Sequence, residues 1–290
     1  MKAVEAIDFM AQGSGIIGLT EWLQTPAGRY VLDWEQQHLD AAVADLFGYH
    51  ALQLGLPELL ALRGNRMPHR WLATDSVQVA DAALARKPVA VDPFADTDPA
   101  PLVMAEVALH CDFDALPFDS QSLDLVVLPH ALELARDPHL ALREVERVLV
   151  PEGRVVIVGF NPASLWGLRQ RLGRLRRVPS GMPRRSFLPD AGEFIGYRRL
   201  RDWLRLLSFE VEAGRFGCYR PPVASKRWLE RFDWTESVGE RWWPVFGAVY
   251  FVVAVKRVRG MRLVGLVRER RPVARAAPAV VASRHDAGAR

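Results

Sequence analysis

The strongest constraint on the fold is a fifty-residue stretch from Cys111 to Phe160. Two apolar runs of strand length, SLDLVVL (122–128) and RVVIVGF (154–160), flank a helical segment there. Neither run alternates apolar with polar residues, so each is expected to be covered on both faces, as in a parallel sheet. Between them Asp137-Pro138 supplies an N-cap and a proline in the first helical position. Ala141, Val145, Val148 and Leu149 then fall on one helical face. PEG (151–153) is read as a turn. Strand, helix and strand joined this tightly form a βαβ unit, which predicts a parallel α/β sheet.

Further strands are expected at HALQLG (50–55), RWLATD (70–75), EVALHCD (106–112), FEVEAGRF (209–216) and AVYFVVAVKR (248–257). Thr25-Pro26 opens a helix carrying Leu32, Leu39, Val43 and Leu46 at helical spacing, with Gly48 as its stop. Helices are also expected from Ser76 towards Arg86 and over 198–207. The proline-rich 87–101 reads as an irregular insertion. No run approaches the roughly 18 apolar residues of a membrane span. Glu5 and Asp8 interrupt what a signal peptide would keep apolar, and Cys111 and Cys218 make no disulfide framework. A cytoplasmic protein is the expectation. His110, Cys111 and Asp112 do not form a metal site, because alternate strand residues face opposite sides.

Charge is unevenly placed. Residues 165–201 hold ten arginines against Asp190 and Glu193, and residues 256–290 hold Lys256 and nine arginines against Glu269 and Asp286. The chain's net charge is +4, so the remainder is acidic. An anionic partner would meet the basic segments; alternatively, they are solvated faces. Beyond about Val273 the tail lacks a core pattern and is expected to be disordered.

From Cys111 to Phe160 the chain carries, in order, an acid before LPF (116–118), the SLDLVV strand, ALE (131–133), REVERVL (143–149), PEG and a following strand. This series resembles class I S-adenosylmethionine-dependent methyltransferases, most closely the type 11 domain of ubiquinone and menaquinone C-methyltransferases. The resemblance extends more loosely to LRDWLRLLSFEVE (200–212). It implies a Rossmann-like, seven-stranded, mostly parallel sheet with helices on both faces and an antiparallel last strand. It also implies a helical cap at 1–44, a methyltransferase-like domain at 45–260 with a basic insertion at 161–190, and a basic tail at 261–290. The cofactor would be S-adenosylmethionine and the partner a small-molecule or lipophilic methyl acceptor.

Ligands in such sheets bind at the carboxyl ends of the strands, where strand order reverses. By position, Gln53 and Gly55 resemble the first-strand cofactor loop and Asp75 the acid that accepts the ribose hydroxyls. Asp112 resembles the acid that receives the adenine amino group, with Phe113 beside the ring. Asp75 reads equally as a helix N-cap. Pro129 and His130 follow the fourth strand, where sulfonium and acceptor would meet. His130 is a candidate general base, its ordinary pKa near 6.5 suiting that role; the alternative is a hydrogen-bonded structural histidine.

The chain departs from the family at the first loop. Gln53 stands where the family has an acid, and Pro57 and Leu59 where it has glycines. This leaves open a catalytically inactive methyltransferase-like interaction module that has lost cofactor binding. A second departure is LWGLRQRLGRLRRV (165–178), with Leu165, Leu168, Leu172 and Leu175 on one helical face and arginines on the other. It reads as a lid over the acceptor, as a peripheral membrane contact, or as a helix, weakened by Gly167 and Gly173, whose leucines pack on the domain; nucleic acid is disfavoured because aromatics are not interleaved. Trp228, Trp234, Trp242 and Trp243 line an acceptor pocket or, the preferred reading, form a satellite core under a long connection.

Overall fold

The computed structural model describes residues 18–75, 106–175, 187–189, 194–223 and 225–257. The expected helix from Ser76, the insertion at 87–101, most of the second half of the basic insertion and the basic tail lie outside them. Among the described residues seven strands form one sheet in the order β3-β2-β1-β4-β5-β7-β6. They are β1 (His50–Leu54), β2 (His69–Thr74), β3 (Leu109–His110), β4 (Leu123–Pro129), β5 (Leu149–Phe160), β6 (Phe209–Gly217) and β7 (Val249–Lys256). β3, β2, β1, β4 and β5 pair in parallel, and β7 runs antiparallel to both β5 and β6.

Alternation along the buried strands divides the core between the two sheet faces. Ala51, Leu125, Val127, Val156, Val158 and Phe251 point to one side, where Leu32, Leu39 and Val43 of helix α1 (Pro26–Ala44) meet them. Leu52, Val126, Leu128, Val155 and Ile157 point to the other. That side is covered by Ala141, Leu142, Val145 and Val148 of a helix at Pro138–Val148 and by Leu200 and Leu204 of another at Tyr197–Leu206. A four-residue helical turn, α2 (Ala131–Leu134), precedes the first of these, which is α3; α4 is Leu165–Leu175 and the helix at 197–206 is α5. Two short helices, α6 (Lys226–Arg231) and α7 (Trp234–Trp242), fill the connection before β7.

Three local expectations are corrected. Helix α1 ends at Ala44, short of Gly48. A Cβ at Gly48 would lie 2.5 Å from the side chain of Asp124. The Asp124 carboxylate accepts the Tyr49 and His50 amides at 2.8 and 2.9 Å, so the glycine permits that close approach and does not end the helix. PEG lies inside β5 as an irregularity: pairing with β4 jumps from Leu123↔Leu149 to Leu125↔Arg154. β3 is two residues long, shorter than the run 106–112.

Candidate active site

Strand order reverses between β1 and β4. The chain moves outward from β1 to β2 and β3, then returns to lay β4 on the other side of β1. The carboxyl ends of β1 and β4 therefore diverge into loops on opposite faces, the position where sheets of this kind have their ligand crevice. Gly55 lies at this crevice with φ +77°, and Leu56 follows at φ 45°. Two successive left-handed residues turn the chain sharply, and a side chain tolerates that backbone poorly. A Cβ at Gly55 would stand 3.6 Å from the Phe113 ring and 3.7 Å from the Ala131 side chain, so residues following β1, β3 and β4 converge here.

The two acids at the ends of β2 and β3 are neighbours. Thr74 pairs with His110 across the strands, and the Cys111 amide donates to the Thr74 carbonyl at 3.0 Å. Asp75 and Asp112 thus flank Cys111. Burial first, then the charges of Asp112 and Asp75, push the Cys111 thiol up to about 11. It stays a protonated, inert thiol at neutral pH. Asp112 is exposed, whereas Phe113 is buried against the Gly55 turn.

Gln53 faces inward. Its amide nitrogen donates to the carbonyls of Gly55, Leu56 and Leu59 at 3.2, 3.0 and 2.7 Å, and its oxygen accepts the Ala61 amide at 3.0 Å. The side chain therefore ties the loop after β1 together from within. Leu56, Leu59 and Ala61 carry that loop into the core beneath α1. Glu58 on this loop is buried, and its Oε2 has no hydrogen-bond partner among the described residues. Sequence reasoning passed over it, although it is the one acid between Gln53 and Asn65.

His130 and Pro129 are both buried at the end of β4. His130 adopts φ 53° and has no exposed surface. Its Nδ1 lies 2.8 Å from Glu133 Oε2 and its Nε2 2.8 Å from Glu35 Oε1. Glu133 also accepts the Phe160 amide at 2.5 Å. Burial alone would lower the His130 pKa, but Glu35 and Glu133 outweigh it and hold the ring up to about 10. For Glu133, burial raises the carboxyl above its ordinary range against the opposing pull of His130 and the Phe160 amide. At neutral pH the ring is an imidazolium with both N–H groups donating to Glu35 and Glu133, and it has no lone pair with which to accept a proton. A glycine is required beside this network: a Cβ at Gly159 would fall 2.5 Å from the Tyr250 hydroxyl and 3.0 Å from Glu133 Oε1.

Glu35 went unnoticed because a single acid on the apolar face of α1, between Leu32 and Leu39, is a faint signal. No group of three or more histidine, cysteine or acidic residues suited to a metal ion occurs among the described residues.

Comparison with known proteins bears on this geometry. Residues 68–157 match the family model described as a methyltransferase domain. The chain is 42% identical over 102 residues to a protein named YafS from Escherichia coli, covering 35% of this chain and 39% of that one. It is 34% identical over 118 residues to a malonyl-[acyl-carrier protein] O-methyltransferase from Halorhodospira halophila, covering 41% and 37%. The matches thus span about two fifths of these relatives' length. An S-adenosylmethionine-dependent methyltransferase structure from Thermotoga maritima superposes with a TM-score of 0.51 at 14% identity, covering 82% of this chain and 94% of that one. Residues 68–157 are therefore similar to a methyltransferase domain, and the described sheet has the fold of that S-adenosylmethionine-dependent methyltransferase structure.

That fold implies S-adenosylmethionine as the cofactor, and residues of the loop after β1 fit it. The Gly55 backbone is bare beside the Phe113 ring, and on the same loop the buried Glu58 Oε2, without a partner among the described residues, is an acceptor of the kind an ammonium group needs.

Proposed function

We propose that the protein is an S-adenosylmethionine-dependent methyltransferase acting on a small or lipophilic acceptor. The observation that carries this reading is the convergence of Gly55, Phe113 and Ala131 at the reversal of strand order, with Asp75 and Asp112 together on the adjoining strand ends. When bound, the cofactor supplies an electrophilic methyl group. The chain's own residues supply position. Asp75 accepts the ribose hydroxyls and Asp112 the adenine amino group, each as an acceptor-only carboxylate. Phe113 flanks the ring, and Gly55 lets the backbone come close. Glu58 offers the loop's negative charge in place of Gln53. Pro129 closes the crevice from the end of β4. His130 is a positioning residue: its contacts with Glu35 and Glu133 tie α1 to α2 and fix the backbone between Pro129 and Ala131. Orientation and exclusion of water then carry most of the rate.

Asp112→Asn tests the assignment, since the amide keeps the shape and removes the charge. Equilibrium dialysis with S-adenosylhomocysteine is expected to show binding weakened about tenfold, the scale of one charge-assisted hydrogen bond. Unchanged binding would remove Asp112 from the site. One observation favours the second reading, an inactive methyltransferase-fold module: Gln53 is wholly occupied inside its loop and presents no group to a ligand.

A further inference from the structure

Helix α4 turns Leu165, Leu168 and Leu172 outward. Ser164, Trp166, Gly167 and Gln170 face the domain, while Leu165, Leu168 and Leu172 are 56%, 51% and 54% exposed. The connection before β7 behaves alike. Trp228, Trp234, Trp242 and Trp243 are 52–70% exposed, and Val245 and Phe246 just over half. This corrects the expected satellite core: among these elements Leu229 is the buried anchor.

The two sets of exposed groups are held to one hub. The Trp166 indole donates to the Arg220 carbonyl at 2.7 Å, and Arg169 donates to the Pro222 carbonyl. Glu236 of α7 accepts the Cys218 and Tyr219 amides, each at 3.0 Å. The Tyr219 hydroxyl donates to the Pro244 carbonyl at 2.7 Å, and Asn161 donates to the Val245 and Gly247 carbonyls at 2.8 and 2.9 Å. All of these elements leave or enter the sheet at the ends of β5 and β6 and the start of β7. That is the same end of the sheet as the crevice, because β7 alone runs antiparallel.

We infer that α4 together with the α6–α7 connection is a docking surface for an anionic lipid bilayer. The charge match lies on α4, which carries Arg169, Arg171 and Arg174 in sequence with no acid between Leu165 and Leu175. Arg171 is exposed, while Arg169 is held at the Pro222 carbonyl. The α6–α7 connection is balanced, with Lys226, Arg227, Arg231 and Arg241 against Glu230, Asp233, Glu236 and Glu240, so its part in the surface is apolar. Leucine and tryptophan are the residues that enter the boundary between headgroups and chains, while arginine meets anionic headgroups. No helix among the described residues is long and apolar enough to cross a membrane, so the contact is a surface one. Scattered exposed apolar residues need no explanation, but leucines and tryptophans gathered around one hub do.

The inference stands apart from cofactor binding and is tested on the full chain without cofactor. Flotation uses vesicles of phosphatidylcholine mixed with phosphatidylglycerol and vesicles of phosphatidylcholine alone. The chain is expected to float with the anionic vesicles and to bind the neutral ones much more weakly. Leu168→Ser/Leu172→Ser and Trp242→Ser/Trp243→Ser change no charge and alter exposed side chains. Each pair is expected to lower partitioning about tenfold or more, since each apolar group withdrawn from the interface removes a favourable transfer. Failure of the wild-type chain to float overturns the inference. So does equal flotation of both pairs and the wild type, which would assign the binding to basic segments alone.

Discussion

His130→Ala is expected to destabilise the protein by about 3–5 kcal/mol, on the order of a 10 °C fall in melting temperature. The substitution leaves Glu35 and Glu133 buried without the cation they share. Glu35 Oε2 already lacks a partner among the described residues, so nothing in its surroundings takes over. pH separates this account from simple loss of packing. The folded-state pKa of His130 is raised from 6.5 to about 10. A raised group contributes stability that is complete below its unfolded pKa and is lost as pH climbs through the folded one. Wild-type stability should therefore fall between about pH 6.5 and 10. Glu133, also raised, acts in the same direction from the carboxylate range upward. Denaturant titrations of wild type and His130→Gln across this window are the measurement. The wild type is expected to slope downward and the variant to be flatter. Parallel profiles would mean that His130 is neutral in the folded protein.

Gln53→Glu is expected to destabilise the loop after β1 by about 2–4 kcal/mol and to leave cofactor affinity no better. From sequence alone the opposite is natural, because the change restores an acid where the family has one. In the folded chain the Gln53 nitrogen faces the carbonyl oxygens of Gly55, Leu56 and Leu59. A carboxylate oxygen there meets three acceptors, leaves them unpaired and brings a charge with no counter-ion. Thermal melts of the variant beside the wild type, with and without S-adenosylhomocysteine, test both halves. A variant that is as stable as the wild type and binds more tightly would show that the loop can turn Gln53 outward.

The sheet was legible because its central strands are continuous apolar runs and their helices carry clear caps. Asp137, whose carboxylate accepts the His139 and Leu140 amides, marks the start of α3 in sequence and structure alike. What escaped reading was long-range polar pairing. The direction of the Gln53 side chain depends on where three carbonyls of a following loop come to lie. The His130 environment depends on an acid 95 positions away on α1. Spacing within one element carries no trace of either. The leucine stripe of α4 was legible as a stripe, but not which way it faces, since Trp166 and Gln170 form a second face that packs equally well. The tryptophans before β7 misled for a related reason: large aromatic residues suggest burial, and here Leu229 takes that role.

The central claim is that the crevice at Gly55 holds S-adenosylmethionine. Calorimetric titration of the purified wild-type chain with S-adenosylmethionine, and separately with S-adenosylhomocysteine, tests it most directly. One-to-one binding in the micromolar range, weakened about tenfold or more in Asp112→Ala, is the predicted result. No heat with either compound up to millimolar concentration would contradict it and leave a methyltransferase fold without its cofactor.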